Sequence, residues 1–541
     1  RGLRDTDIWT VDSADVVIVG SGAGGGVMAS ELVKAGVHVL VLEKGGYYRS
    51  DDFKRWRQGE AQTKLFDKAA FCASKTGSIA VLAGSCVGGG TTLNWTASFR
   101  TPAHVLADWA ATGLSQFAPG GSFETSLDAV HKLVNVNSKF SYREENSCSI
   151  SEDDPHFVVN GNNRALWEGA KACGFAPERI PRNVKACVDC GHCSFGCAYN
   201  SKQSTLTALM EPLGASELLR LLPHATVSTV HRGSDGVATG VEGFVNDTAT
   251  GRRIRFRVNA KIVVVSAGAL HTPALLLRSG FANRKIGKHL TLHPVVGCAG
   301  LSTEPTGLQS GVAMGVVVKG HPALELPSDP GYGVAVETPP VNLNMMGLIS
   351  KWDTGLFFKC YSLFWKNLLV YINISRDHSK ESNRIALDKD GNFEIHYDVT
   401  AQDEANMMNG LIQALRIMRK TPGNRLVELS HETMKTFTDF RNDEAFEAYI
   451  NEVKAGGLAR GQFNVFSAHQ MGSCRMAAKP EEGPVSPRGS LFECQNVFVA
   501  DASLFPTSLG VNPMITVEAL SHMVSRNVMK QLGVKPGASA W

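Results

Sequence analysis

The 541-residue sequence has no run of about 18 uncharged apolar residues, so no segment is long and apolar enough to span a bilayer as a helix. A charge excess is missing as well. The 54 Lys and Arg against 51 Asp and Glu leave +3, far short of the basic field that phosphate-backbone binding needs, and nucleic acid is not an expected partner. Internal repeats and low-complexity tracts are absent, which sets aside solenoids and propellers. With 43% hydrophobic and 19% charged residues the composition is that of a globular protein with a sizeable core. At about 150 residues per domain this length implies more than one domain, and two coupled lobes are expected. The chain opens on Arg1-Gly-Leu-Arg4, with neither an initiator Met nor an apolar signal core, so truncation or processing upstream is expected. Its last residues carry no peroxisomal or ER-retention tripeptide, and the expected setting is intracellular, soluble or peripherally bound to a membrane.

What is present begins with Asp15-Val-Val-Ile-Val-Gly20, whose four β-branched residues between a carboxylate and a glycine turn read as a buried strand. A helix from Ala23 to Ala35 and a second strand over Val37–Leu42 complete a βαβ unit. Gly20-Ser-Gly22-Ala-Gly-Gly25 fits the dinucleotide fingerprint. The first glycine permits the tight turn, the second lets a pyrophosphate approach the backbone, and the third lets helix pack on strand. Phosphates would sit at the helix N-terminus, where free N–H groups and the dipole favour anions. Glu43 closes the second strand about twenty residues on, where a carboxylate accepts hydrogen bonds from ribose hydroxyls and disfavours a 2′-phosphate. FAD or NAD is therefore expected, and NADP is not. Further strands are read at Ile254–Val258, Ile262–Val265 and Val497–Ala500, with helices through Leu275–Leu277 and from Pro513, while Arg143–Asn163 and Pro322–Pro340 read as loops of another lobe.

Several segments together carry a resemblance: Gly20–Gly26, Ala83-Gly-Ser-Cys-Val-Gly-Gly-Gly-Thr-Thr-Leu-Asn-Trp95, Ser266–Pro273, Gly287–Pro294, Ser467–Met476, and Asp501–Ser503 with Gly510–Thr516. On them the sequence resembles the glucose-methanol-choline (GMC) oxidoreductases over nearly its whole length, and within them looks like the long-chain (fatty) alcohol oxidases. The resemblance implies an α/β fold with a discontinuous Rossmann-like FAD-binding domain (residues 12–100, 205–300 and 462–541). A second, α+β substrate-binding domain would comprise residues 101–204 and 301–461. It implies FAD as cofactor and a small-molecule alcohol, long-chain and apolar, as substrate, oxidised to an aldehyde with O2 as acceptor giving hydrogen peroxide; the alternatives are a dehydrogenase with another electron acceptor and a sterol, terpenoid or sugar alcohol as substrate. It places Gly20, Gly22, Ala23, Gly25, Glu43, Lys44, Gly89, Gly90, Asn94, Val227, Ala267, Asp501, Ala502, Asn512, Pro513 and Met514 around the cofactor. Of these, the backbone of Val227 would meet the adenine, and Asp501 would face the ribityl-phosphate region.

Hydride leaves an alcohol carbon readily only if the hydroxyl proton leaves too, and His is the usual base near neutral pH. By resemblance His469 holds the base position and Asn512 the partner position; the expected order is that neutral His469 takes the hydroxyl proton while the Asn512 amide binds the oxygen. Asn512 followed by Pro513 also reads as an N-cap and first residue of the last helix, whose positive end would stabilise charge on reduced flavin.

Two features fall outside this scheme. Cys187, Cys190, Cys193 and Cys197 share the C-x2-C-x2-C-x3-C spacing of iron–sulfur ligands, although no Pro follows. Free or paired thiols shaping a loop rank first, an iron–sulfur cluster second and zinc third. The stretch Met345–Ile374 mixes Trp352, Phe357, Phe358, Tyr361, Phe364 and Trp365 with Lys351, Lys359 and Lys366. It reads either as core of the second lobe or as an apolar tunnel or membrane-facing patch with snorkelling lysines. Sequons stand at Asn94, Asn246 and Asn373.

Overall fold

The computed structural model describes residues 8–139, 160–341, 354–429, 436–458 and 463–537. Two sheets organise them. In the first, strand Ile8–Val19 lies between Val39–Leu42 and Arg253–Val265, all three parallel, with Val16 opposite both Val39 and Ile262. Val16, Val17 and Ile18 are fully buried, which is why an unbroken β-branched run suits a strand covered on both faces. Leu219–Leu222 extends this sheet on one side and Cys494–Val499 on the other. The antiparallel strands Ala225–Arg232 and Ala238–Asn246 fold over from Arg253–Val265. Helix Ala23–Lys34 packs against the C-terminal helix Met514–Leu532, so the first and last parts of the chain share one layer.

Among the described residues the second sheet has nine strands, with Val295–Ser302 hydrogen-bonded to Leu368–Ser375, Asn424–Leu429 and Phe466–Ser467. Helix Ala401–Lys420 covers one face of it. That helix starts at a capping box in which the Thr400 hydroxyl accepts from the Asp403 N–H while the Asp403 carboxylate accepts from Thr400. Strands Ala80–Val81, Val295–Ser302 and Phe466–Ser467 belong to this sheet although they come from segments assigned above to the nucleotide lobe, so the lobes are stitched together by shared chain.

The structure revises several sequence readings. The two short strands expected at Ile254–Val258 and Ile262–Val265 form one strand, Arg253–Val265. Within Pro322–Pro340, expected to be loop, Val334–Glu337 is a buried strand of the second sheet, because it pairs on both sides with Val316–Val318 and Leu368–Ser375. Residues 140–159, most of the other expected loop, and Lys351 and Trp352 lie outside the described residues. Leu368–Ser375 is buried throughout, as the core reading requires, while Leu356, Leu363 and Phe364 just before it are exposed. Asn373 is fully buried, so its sequon is inaccessible in the folded protein. No helix among the described residues is long and apolar enough to cross a membrane.

Candidate active site

One continuous cavity of about 670 Å³ runs from the glycine turn after the first strand to the edge of the second sheet. At the first end Gly20 has φ +97°, and a Cβ there would stand 2.3 Å from the Ser266 carbonyl oxygen, so only glycine lets the turn pass under the neighbouring strand. Gly22 and Ala23 line the cavity where the helix begins and its first N–H groups lack intrahelical partners. Gly25 does not face the cavity. It packs directly on the Gly20 carbonyl, which assigns it to helix–strand contact rather than to cofactor contact.

Glu43 lines this end and is already oriented. Its Oε2 accepts from the Ser21 N–H at 2.9 Å and the Ser21 hydroxyl at 2.6 Å, and its Oε1 from the Gly45 N–H at 2.8 Å. Oε1, which accepts only one of these bonds, keeps a further lone pair for a ribose hydroxyl. Ser21 Oγ also accepts from the Gly88 N–H at 3.1 Å, which ties the fingerprint to the second glycine segment. There Gly89, at φ +51°, abuts the first turn so closely that a Cβ would lie 2.8 Å from Gly22 Cα. Two glycine turns distant in sequence thus form one wall, a contact no motif announces.

Lys44, beside Glu43, joins Asp67 and His271 at the cavity wall. Asp67 takes the Lys44 ammonium on Oδ1 at 2.8 Å and His271 Nε2 on Oδ2 at 2.6 Å. Burial alone would raise the Asp67 pKa, but the His271 hydrogen bond and the Lys44 charge outweigh it and hold the carboxyl far below its ordinary range. Burial keeps His271 below the usual imidazole value. Val227, Ala267, Asp501 and Ala502 all line the cavity. Asp501 is occupied internally, accepting from the N–H groups of Gly268 and Ser503 and from the Thr272 hydroxyl, so it braces the backbone at this point.

At the other end stand His469, Asn512, Pro513 and Met514. The two predicted catalytic residues, 43 positions apart in the chain, are brought to one cavity. Asn94 Nδ2 lies 2.9 Å from Met514 Sδ, which closes the wall between the second glycine segment and the C-terminal helix. The expected cap is not formed: the helix begins at Met514, Pro513 takes the cap position, and no side chain accepts from the first turn. Asn512 Oδ1 is instead buried without a partner, poised beside Glu337. Glu337 is itself fully buried, and burial raises its pKa to about 8, slightly offset by the Asn512 amide, although the two groups fall short of a regular hydrogen bond. Sequence reading missed Glu337 because nothing marks it among the polar residues of an expected loop.

His469 reaches the cavity from a bend after Phe466–Ser467, its N–H bonded to Ser467 Oγ at 3.0 Å. Its Nδ1 lies 3.2 Å from Nδ1 of His293, a residue inside the Gly287–Pro294 motif that drew no functional reading. Burial pushes the His469 pKa down to about 4, so the ring is neutral near pH 7. Around this end the walls are apolar, with Val295, Met314, Ile372, Ile374, Phe463 and Val465.

Cys187, Cys190, Cys193 and Cys197 lie on one loop, each a free thiol, and none lines the cavity, although Ser194 does. Among the described residues no three His, Cys, Asp or Glu side chains converge in a geometry that could hold a metal ion. As placed, the four free thiols do not converge on a common point, in keeping with the order in which a cluster or zinc ranked below thiols shaping a loop. The loop is organised around Lys202 instead. This buried ammonium donates to the carbonyls of Thr92 at 2.9 Å, Asn94 at 2.7 Å and Cys193 at 2.7 Å, fastening the loop to the second glycine segment.

A parallel-stranded sheet bearing a glycine turn, an oriented ribose-facing carboxylate and a cavity that ends on a neutral histidine defines an oxidoreductase that uses a bound dinucleotide cofactor. Sequence models of the GMC oxidoreductase N- and C-terminal regions match residues 62–295 and 379–521, and a model of the NAD(P)-binding Rossmann-like domain matches 18–77. The chain belongs to the GMC oxidoreductase family, and FAD is its cofactor. It is 32% identical over 531 residues to long-chain-alcohol oxidase FAO4A of Arabidopsis thaliana, covering 96% of this chain and 69% of that one. Long-chain-alcohol oxidase FAO3 of the same plant is 30% identical over 536 residues, covering 96% and 68%. The fold matches formate oxidase of Aspergillus oryzae RIB40 with a TM-score of 0.69 at 14% identity, over 97% of this chain and 99% of that one.

Proposed function

We propose that the protein oxidises long-chain primary alcohols to aldehydes, with O2 as acceptor and hydrogen peroxide as second product. The observation that carries this reading is the single cavity, with a dinucleotide cradle at one end and His469 and Asn512 set in apolar walls at the other. An apolar enclosure with few polar groups selects a long hydrocarbon and orients it by its one hydroxyl. The named activity of the Arabidopsis relatives agrees with it.

The cradle fits FAD: Gly20, Gly22 and Gly89 leave bare backbone beside the cavity, and Glu43 is held ready for the ribose. Bound flavin supplies the hydride acceptor at N5. What the chain contributes is placement and polarity. His469 and Asn512 are polar groups that line the cavity where the substrate oxygen would sit, and Val295, Ile372 and Ile374 crowd water from the hydrocarbon. Glu337 stays protonated at neutral pH, so no second negative charge opposes the one that develops on the oxygen.

The test is steady-state peroxide release across primary alcohols of increasing chain length. The proposal expects kcat/KM to climb with chain length before levelling. A flat profile, or turnover with an artificial acceptor and none with O2, would replace it with a less selective oxidase or with a dehydrogenase.

A further inference from the structure

Glu337 occupies a position that an apolar side chain would fill more favourably. In the strand Val334–Glu337 it stands directly between Val317 and Ile372 of the neighbouring strands. Side chains alternate along a strand, so Glu337 shares a face with Ala335, Ile372 and Ile374, and it is on this face that Ile372 and Ile374 line the cavity. Both carboxyl oxygens are buried and, among the described residues, neither has a hydrogen-bond partner. The backbone cannot carry the group out to solvent, because the Asn162 amide donates to Thr338 Oγ1 and to the Pro339 carbonyl just beyond it.

No charge compensates this carboxyl. Val316–Val318 holds only valines, and Lys319 after them is paired with Glu178 at 2.8 Å. Tyr371, the one titratable side chain of Leu368–Ser375, turns to the Thr421 hydroxyl on the opposite face, at 2.8 Å. The two residues that follow this strand are spent elsewhere: Arg376 on Asp108 and the carbonyls of Ser508 and Gly331, and Asp377 on the N–H groups of Leu292 and His293 and on the Tyr397 hydroxyl. His469, which lines the same cavity, is neutral near pH 7. Without a cation or a donor a buried carboxylate is unfavourable, and burial keeps Glu337 in its acid form up to about pH 8.

The group beside the carboxyl is Asn512, whose Oδ1 is likewise buried without a partner. Three orphaned acceptors therefore meet in one place, and acceptors alone cannot satisfy one another. The proton that Glu337 retains is the donor that the Asn512 oxygen lacks. An amide whose oxygen accepts on the protein side turns its nitrogen the other way, and Asn512 lines the cavity.

We infer that Glu337 is a positioning residue: as a neutral acid it donates its O–H to Asn512 Oδ1 and thereby holds Asn512 Nδ2 towards the cavity as a fixed donor. That this donor meets a substrate oxygen rests on the alcohol-oxidising reading above; the orientation of the amide does not. A hydrogen bond from Nδ2 strengthens as negative charge gathers on the oxygen that accepts it. The arrangement has a limit in pH. Once ionised, Glu337 can only accept, so the amide must turn its nitrogen to the carboxylate and present Oδ1 to the cavity, an acceptor where the substrate oxygen needs a donor.

Two experiments on the FAD-loaded protein test this. Infrared spectra without alcohol read the carboxyl directly, since the signals missing in Glu337→Gln identify it. A carboxylic-acid C=O band is expected at pH 7, replaced by carboxylate bands well above pH 8, and it should move to higher frequency in Asn512→Ala, where the O–H has lost its acceptor. A carboxylate at pH 7, or an acid band indifferent to Asn512→Ala, would overturn the inference. Rapid anaerobic mixing with 1-dodecanol supplies the second arm. In Glu337→Gln the side-chain amide still donates to Asn512 Oδ1 and never ionises; in Glu337→Leu the donor is gone, although an apolar side chain suits the buried site and should not lower Tm. At pH 7 flavin reduction should stay within about threefold of wild type in Glu337→Gln and fall about tenfold or more in Glu337→Leu, the worth of one buried hydrogen bond. Above pH 8 the wild-type rate should decline while that of Glu337→Gln holds. Equal losses in the two variants, or pH profiles that coincide, would overturn the positioning role. If no alcohol reduces the wild-type flavin, the substrate reading fails instead, and the infrared band still decides which way the amide is held.

Discussion

Gly90→Ala separates the needs of the fold from those of the cofactor. Gly90 opens the short helix Gly90–Leu93 on the cavity wall, its φ is not positive, and a Cβ built there meets no atom within 4 Å. In FAD-free protein the substitution should be neutral or stabilising by up to about 1 kcal/mol, since alanine loses less backbone freedom than glycine in a helix. If the cofactor passes over this segment, the same methyl intrudes on a filled space. Overpacking of that size costs about 1–3 kcal/mol, which weakens FAD binding roughly 5- to 150-fold. Gly89→Ala is the counterpart. Its φ of +51° and the 2.8 Å approach to Gly22 Cα impose strain whether or not FAD is present, about 1–3 kcal/mol from backbone conformation alone. The assay is FAD titration into deflavinated protein, followed by flavin fluorescence, with thermal unfolding in parallel. Gly90→Ala should keep the wild-type Tm without FAD and lose affinity; Gly89→Ala should lose Tm in both states. Wild-type affinity in Gly90→Ala would refute the placement of the cofactor against this wall.

Two further perturbations bear on groups that sequence reading passed over. Glu337 has its pKa raised to about 8 by burial, against an ordinary value of 4.5, so the folded protein binds the proton more tightly than the unfolded chain. Stability is then full below about pH 4.5 and is lost as pH rises towards 8. Glu337→Gln should remove this loss, on the order of 4 kcal/mol by pH 8, and chemical denaturation of both proteins at pH 5 and pH 8 checks whether their difference grows with pH. Lys202→Met should leave the carbonyls of Thr92, Asn94 and Cys193 unpaired in the interior, lowering stability by about 3 kcal/mol or more. It should also speed proteolysis within the Cys187–Cys197 loop; unchanged Tm and cleavage would show that the ammonium does not organise that loop.

The parts of the fold legible in the sequence are those whose local pattern and tertiary setting agree. The run Val16–Val19 is β-branched because it is buried on both sides, and the glycines after it are required by contacts within a few residues or with one neighbouring strand. His469 and Asn512 were found through their motifs and do share one cavity. Elements were lost where the signal is tertiary. Val334–Glu337 lies among prolines and owes its strand conformation to pairing with Leu368–Ser375. Glu337 becomes distinctive only through burial beside Asn512. Asn512 has the residue type and following proline of a cap, yet its side chain turns away from the helix. The four cysteines carry a ligand spacing, but the chain folds their loop around a lysine five residues beyond Cys197, and spacing alone does not report the direction of a side chain. The lobe boundaries were harder still, because short strands from the nucleotide segments complete the other sheet.

Anaerobic mixing of the purified yellow protein with a panel of primary alcohols, followed by admission of oxygen, tests the central claim most directly. The account predicts that long-chain alcohols bleach the flavin absorbance in a single turnover and that oxygen restores it with one peroxide formed per flavin. A flavin that stays oxidised with every alcohol, while remaining bound to the protein, would contradict it.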